Sequence, residues 1–357
     1  MKQTVVLTGS SGFVGSALLV ELSRNYRVIG VDRREPTQAL RTAAPDAEFG
    51  TLDIADAQAV NALFKSKAGA VDFVIHLAAF YHFDRDKHPE YARTNILGTQ
   101  NVIAASIAAR VKRLVFASSL AALAITPSGL ALTEKSPIGG VIPYAWSKAG
   151  GEALLTTAAE NIPVAILRIG AVFSDWTELP FLWSLLKLWG GKSRLSKVMP
   201  GRGRSGFPYI HRDDLVRLIA RVLERTESIG RLETFLASQN GAVFHRELFE
   251  CIHAARGSNS AKPFHIPRLA ARLGLHAQWT LGWVTGKRPY ERPWMIDYVD
   301  KPMIADTSYT RKILEWDCTP ELSLTRRVPV LYERFNTQRA LWEERNERRS
   351  ARLFEYP

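Results

Sequence analysis

Cysteine is scarce in this chain: its 357 residues contain two, Cys251 and Cys318. They form no metal-spaced or redox pair, so neither a disulfide framework nor an oxidising compartment is indicated. No apolar stretch reaches membrane-spanning length, and there is no internal repeat or low-complexity segment. Basic and aromatic residues do not alternate as they would to stack nucleobases, so no nucleic-acid partner is expected. Acidic residues are in deficit, 35 against 47 lysines and arginines, for a formal charge of +12. That excess reads as a solvated basic surface, with peripheral attraction to an anionic membrane as the second reading. After Met1-Lys2-Gln3 the chain enters a strand pattern, with no signal peptide in view, and a cytoplasmic protein is expected.

What the chain does have is concentrated near its start. Residues Thr8 to Gly15 read Thr-Gly-Ser-Ser-Gly-Phe-Val-Gly, directly after the apolar run Thr4-Val5-Val6-Leu7. A β-branched run, closely spaced glycines and an apolar helical pattern describe a strand, a tight turn and a helix start. Backbone N–H groups at a helix start have no partner within the helix, and Gly9, Gly12 and Gly15 let a pyrophosphate approach them. Ser11, Phe13 and Val14 belong to the same turn. The next strand pattern, Tyr26 to Asp32, ends in an acid about 20 positions on, where a carboxylate accepts from a ribose diol and repels a 2′-phosphate. Asp32 therefore favours NAD, while Arg33 and Arg34 keep NADP open.

Strand and helix patterns then alternate: Glu48 to Leu52, a helix over about 55–65, Asp72 to Leu77, a helix over about 90–109, Arg113 to Ala117, a helix over about 144–160, and Pro163 to Arg168. Apolar strands separated by amphipathic helices predict a Rossmann-type, doubly wound parallel sheet with ligands at the strands' carboxyl ends. Beyond Phe173 the alternation breaks. The division expected is 1–172 for NAD(P), with parts of 208–257 completing the sheet, and 173–357 as a smaller, mainly helical substrate region.

Tyr144-Ala145-Trp146-Ser147-Lys148 puts a phenol and an ammonium one turn apart on one helix face. A tyrosine titrates near pH 10 unaided, and a neighbouring lysine charge favours the phenolate, preparing Tyr144 for proton exchange near neutrality. Ser118-Ser119 end the preceding strand, where a hydroxyl can orient a reacting oxygen. His76-Leu77-Ala78-Ala79 ends another with small residues suited to passing close over a cofactor. Asp53 is placed to meet an adenine, and Asn95 is a polar residue near the start of the long helix.

These residues together resemble the extended short-chain dehydrogenase/reductase superfamily, the NAD-dependent epimerase/dehydratase group. The resemblance covers roughly the first 215 residues, including Pro143 before the Tyr-Lys helix and Ile210-His211-Arg212-Asp213-Asp214 for the family's later strand-to-helix turn. It implies Gly9, Gly12 and Gly15 at pyrophosphate, Asp32 at ribose, Asp53-Ile54 at adenine, and Ser119, Tyr144 and Lys148 as the catalytic set, with Lys148 also holding the nicotinamide ribose. Asn95 is counted with the catalytic residues. It also implies a homodimer.

Departures from the family pattern sort the reactions. Dehydratases of this group carry an Asp-Glu pair just after the catalytic hydroxyl, where this chain has Leu120-Ala121-Ala122. Sugar-nucleotide epimerases follow the arginine-bearing strand with an asparagine; here Leu167-Arg168-Ile169-Gly170-Ala171-Val172-Phe173 supplies none. The arginine they place before the later turn is replaced by Gly206-Phe207-Pro208-Tyr209, although Arg202 or Arg204 stands near enough in sequence to serve a diphosphate. Pro180 to Trp189 carries an apolar stripe at 182, 185, 186 and 189, with Phe181, Trp183 and Leu188 beside it. That segment reads as small-domain core, as a lid over an apolar substrate, or as a membrane contact. The main expectation is an NAD(P)-dependent oxidoreductase on an apolar alcohol or ketone, steroid-, lipid- or polyketide-like. A nucleotide-sugar epimerase is the alternative. Substrate contacts are expected from His82, Leu120, Ala171, Phe173, Phe181 and His211. His82, Asp84, Asp86 and His88 have no zinc-like spacing, and no metal is assigned.

Overall fold

The period of the apolar pattern is realised directly in the backbone. The computed structural model describes residues 2–354 apart from 68, 127–129, 259–260 and 286–289, and side chains within that set except those of 283–285 and 348–354. Six strands, β1 (Thr4–Thr8), β2 (Arg27–Asp32), β3 (Glu48–Thr51), β4 (Val71–His76), β5 (Arg113–Ser119) and β6 (Val164–Ile169), run parallel in one sheet. Four short strands, β7 (Ala171–Phe173), β8 (Val198–Pro200), β9 (Gly206–Phe207) and β10 (Tyr209–His211), precede β11 (Leu232–Ala237), which returns as the seventh. The order is β3-β2-β1-β4-β5-β6-β11. The winding reverses between β1 and β4, and such a reversal opens a crevice at the carboxyl ends.

Helices α1 (Phe13–Leu22), α2 (Gln38–Ala43), α3 (Ala57–Ser66), α4 (Gly98–Ala108), α5 (Pro143–Ala158), α6 (Pro180–Gly190) and α7 (Arg212–Glu224) complete the first part. Alternate residues of β1 explain why its run is apolar throughout. Val5 and Leu7 pack with Leu18, Leu19, Leu215 and Ile219 of α1 and α7 on one face, and Val6 packs with Val102 and Leu155 of α4 and α5 on the other.

The remaining helices are α8 (His245–Ala255), α9 (Arg268–Thr285), α10 (Ser308–Leu314), α11 (Leu324–Thr337) and α12 (Arg339–Phe354). Residues Trp189, Phe249, Leu331, Phe335 and Trp342 of α6, α8, α11 and α12 build a separate apolar core. The stripe at 182, 185, 186 and 189 is buried in it, and Phe181, Trp183 and Leu188 of the same helix pack against it and also line the central cavity.

Two details differ from the sequence reading. Tyr209–His211 pairs with β7 outside the main sheet, because the chain turns away at Gly170, where a Cβ would lie 2.7 Å from the Pro208 carbonyl oxygen. The helix expected from 90 begins with π-helical turns over Tyr91–Leu97 before α4. Within that widened stretch Asn95 bonds across to other segments, and such local widening frequently marks a functional region.

Candidate active site

One cavity of about 1560 Å³ opens at the carboxyl ends of the strands and collects most of the residues singled out in the sequence. Gly9, Gly12, Phe13, Val14 and Gly15 line it at the first turn, Asp32 and Arg33 after β2, Asp53 and Ile54 after β3, and Leu77, Ala78 and Ala79 after β4. Ser119, Leu120, Tyr144 and Lys148 line its centre, with Ala171 and Phe181 toward the helical part.

The glycines do geometric work. Gly9 has φ +76°, and a Cβ there would sit 2.7 Å from the Ala78 nitrogen; one on Gly15 would sit 2.0 Å from the Gly9 carbonyl oxygen. Gly12 caps α1 with no side-chain acceptor, leaving the first-turn N–H groups facing the cavity. Below the turn, Ala78 N–H donates to Thr8 Oγ1 at 3.2 Å, and Thr8 donates to His76 Nδ1 at 2.7 Å. His76 Nε2 donates to Thr99 Oγ1 at 3.0 Å, whose own hydroxyl donates to the Asn95 carbonyl at 2.7 Å. Burial, with the Lys148 charge, holds this imidazole near pKa 3, so it stays neutral and keeps the two strand ends in register. Asp32 accepts from Ser11 N–H at 3.0 Å and from Arg34 N–H at 2.9 Å. Asp53 is fixed by Ala55 N–H at 2.9 Å and by Arg93 at 2.5 Å.

Helix α5 carries the reacting face. Pro143 begins it, and Tyr144, Ser147, Lys148, Gly151, Glu152 and Leu155 are its buried stripe. Gly151 lets the helix sit close on β5: a Cβ there would lie 2.5 Å from the Phe116 ring. Lys148 Nζ donates to the Ala117 carbonyl at 2.7 Å and lies 5.9 Å from the Tyr144 ring centroid. Tyr81 meets Tyr144 edge-on, with centroids 4.7 Å apart. Ser119 Oγ accepts from Ala121 N–H at 3.2 Å, leaving its own proton for another acceptor. Ser118 instead turns back and donates to buried Glu152, which Arg168 grips through Nη2 at 2.8 Å. Removing one member of a buried ion pair leaves the other uncompensated. Glu152→Ala should cost about 3–5 kcal/mol of stability, read as a lower denaturant midpoint; an unchanged midpoint would show that the pair does not brace α5 against β6.

The model of the NAD dependent epimerase/dehydratase family matches residues 5–237. The chain belongs to that family. A UDP-glucose 4-epimerase from Mycolicibacterium smegmatis is 28% identical over 308 residues, 78% of this chain and 92% of the relative. The human dTDP-D-glucose 4,6-dehydratase is 29% identical over 181 residues, about half of each chain (47% and 51%). Among solved structures, a Thermotoga maritima UDP-glucose 4-epimerase with UDP-glucose gives a TM-score of 0.70 at 21% identity, covering 94% of this chain and 99% of that one. A Bacillus anthracis dTDP-glucose 4,6-dehydratase in complex with NAD gives 0.71 at 15% identity, covering 96% and 99%. Both structures share the extended Rossmann-type fold.

The residues present fit the NAD of this family. The glycine turn is shaped so that any Cβ would close it, helix α1 offers uncapped N–H groups, and a carboxylate stands where a ribose would lie.

Several residues expected at the site lie elsewhere in this family member. Asn95 is behind the wall: its amide donates to the Phe80 carbonyl at 2.9 Å and to Ser147 Oγ at 2.8 Å, and its oxygen accepts from Phe80 N–H at 2.7 Å. Ser11 uses its N–H on Asp32 and its hydroxyl on the Arg34 carbonyl. The loop after β4 reaches the cavity through Tyr81 and Phe83, not His82. Phe173 is in the second core, stacked edge-on with His211 at 5.2 Å. His211 caps α7 through Nδ1, which accepts from Asp213 N–H at 3.3 Å, and its Nε2 faces Asp175 at 3.4 Å. Arg202 and Arg204 line a separate depression with Arg246 and His265, off the central cavity. In contrast, Tyr290, Trp294, Met295, Tyr298, Lys301 and Met303 form a wall that carried no spacing signal; only the density of aromatic residues there could have pointed to it.

Proposed function

We propose that this chain interconverts a secondary alcohol and a ketone on bound NAD, and that the reacting carbon belongs to a nucleotide sugar whose configuration is inverted. The observation that carries this reading is the gathering of Ser119, Tyr144 and Lys148 on one cavity wall, in a chain related to a UDP-glucose 4-epimerase over nearly all of that relative's length. The relatives thus support the epimerase ahead of the apolar-substrate oxidoreductase that the sequence placed first. Dehydration is disfavoured, since Leu120 and Ala121 carry no proton to move.

Bound NAD would supply a hydride acceptor and donor at nicotinamide C4. Gly9, Gly12 and Gly15 would hold its pyrophosphate, Asp32 its adenosine ribose, and Asp53 with Ile54 its adenine. Ser119 holds the reacting oxygen by donating its free hydroxyl proton. Tyr144 takes the proton from that oxygen and returns it, and Lys148 favours the phenolate while it waits. Pre-positioning these groups is the protein's part of catalysis. We assign residues 1–172 with β11 to NAD and most of the remainder to substrate, in an enzyme that is homodimeric on family resemblance.

Burial lowers Lys148 to about 8, Glu152 opposing. Its charge is thus present below about pH 8 and lost above, so kcat/KM should fall on the alkaline side with an apparent pKa near 8. Lys148→Arg, charged at every accessible pH, should carry that limb upward in whatever activity it retains. A limb unmoved by this change would separate it from Lys148.

A second reading rests on the lining. Phe181, Trp183, Leu188, Leu275 and Trp294 face the substrate half, and Arg202 and Arg204 do not. Those residues suit an apolar alcohol or ketone, turned over with net consumption of NAD(P). Chromatography of UDP-glucose and UDP-galactose incubations with NAD, beside absorbance assays on apolar ketones, decides the matter. Appearance of the other epimer without net NADH supports the epimerase; NADH turnover with apolar compounds alone replaces it by the second reading.

A further inference from the structure

One face of the molecule combines exposed apolar side chains with unpaired positive charge. Leu195 is 57% exposed, Phe264 66%, Leu269 69% and Leu273 63%. The topology brings them together. Leu195 lies in the turn Arg194–Lys197 that leads into β8, and Phe264 opens a short strand, Phe264–Ile266, whose first pair is with Val198 of β8. Pro267 then leads into α9, where Leu269 and Leu273 stand one turn apart on one face. Leaving such side chains in water is unfavourable, and their grouping at the tips of a turn, a strand end and a helix suits insertion into a soft phase.

Basic residues predominate in the chain segments that carry them. From Leu179 to Arg212 the chain has no Asp or Glu, but has Lys187, Lys192, Arg194, Lys197, Arg202, Arg204 and Arg212. From Cys251 to Tyr290 it again has no acid. Lys192, Arg194, Lys197 and Lys262 are exposed and form no salt bridge among the described residues. Arg268 and Arg272, by comparison, face Asp300 and Asp297. Among the described residues no helix is long and apolar enough to cross a membrane, so contact with a bilayer would be from one side.

We propose that this face docks on an anionic phospholipid membrane, with Leu195, Phe264, Leu269 and Leu273 entering the headgroup–acyl boundary and Lys192, Arg194, Lys197 and Lys262 meeting lipid phosphates. The complementarity of charge selects a lipid surface, since polybasic residues beside apolar pegs gain both from anionic headgroups and from the acyl boundary. Helix α9 connects the face to the site: Ala271, Gly274 and Leu275 line the cavity. The proposal rests on the surface alone and stands whichever substrate reading holds.

Vesicle co-sedimentation of the full chain tests it, with phosphatidylglycerol–phosphatidylcholine vesicles against phosphatidylcholine alone. Partitioning should be at least about tenfold stronger to the anionic vesicles and should weaken with added salt. Leu269→Glu with Leu273→Glu, and separately Lys192→Glu with Arg194→Glu and Lys197→Glu, should each lower it by about tenfold or more. NAD affinity and the circular dichroism spectrum, unchanged in each, would show that the fold is kept. No preference for anionic vesicles, or binding by both variants equal to that of the unaltered chain, overturns the proposal. So does absence of vesicle binding with a halved molar mass of the leucine variant in light scattering, which would assign the face to a second copy of this chain.

Discussion

Tyr144→Phe should lower kcat by about 10²–10⁴-fold while leaving the affinity for NAD within a few-fold. The change removes one hydroxyl and nothing else. The ring keeps its edge-on contact with Tyr81 at 4.7 Å and its place in the small cluster with Phe80, Tyr91 and Ile142. Folding and cofactor binding therefore have no reason to fail, and a loss confined to turnover would isolate the proton exchange. Lys148 sits one turn along the same helix face and keeps its bond to the Ala117 carbonyl in the variant. Steady-state kinetics with a cofactor titration checks this. Turnover within twofold of wild type would remove Tyr144 from the mechanism.

Gly15→Ala is expected to weaken NAD binding by about 10- to 100-fold, or to prevent folding, because relieving a backbone overlap costs one to several kcal/mol. The new Cβ would fall 2.0 Å from the Gly9 carbonyl oxygen and 3.0 Å from the Ser10 Cα. Both are backbone atoms of the turn, so no side-chain rotation relieves the overlap. The turn must open, and the N–H groups of α1 move with it. Gly274→Ala in α9 serves as the contrast: a Cβ there meets nothing within 4 Å, and NAD affinity should not change. Fluorescence titration of both variants reads the difference. Equal affinities would show that the turn is not where the dinucleotide's charge is held.

The parts legible in the sequence are those set by short-range spacing. The glycines of the first turn, Asp32 at a strand end, and Tyr144 with Lys148 four residues on all owe their placement to one strand, one turn or one helix face. Side-chain direction across a loop was not legible. In the stretch after β4, Tyr81 and Phe83 face the cavity while His82 offers its carbonyl to the Tyr91 hydroxyl at 2.6 Å. His211 looked like a site residue until α7 proved to need an N-cap, and Asn95 until Phe80 and Ser147 took its amide. The wall from Tyr290 to Met303 was invisible for a different reason. It is assembled by long-range packing of irregular chain against α9, with no period to read.

The most direct test of the account is to follow hydrogen from the reacting carbon. A nucleotide sugar deuterated at the carbon to be inverted would be incubated with the wild-type chain and NAD, and the products analysed by mass spectrometry and proton NMR. Retention of deuterium on the inverted carbon, with slower turnover than the unlabelled sugar, is the predicted result, and Tyr144→Phe should suppress it. Inversion with deuterium lost to water would contradict the account, because the carbon would then have been deprotonated and neither Tyr144 nor NAD would hold the role given to it here.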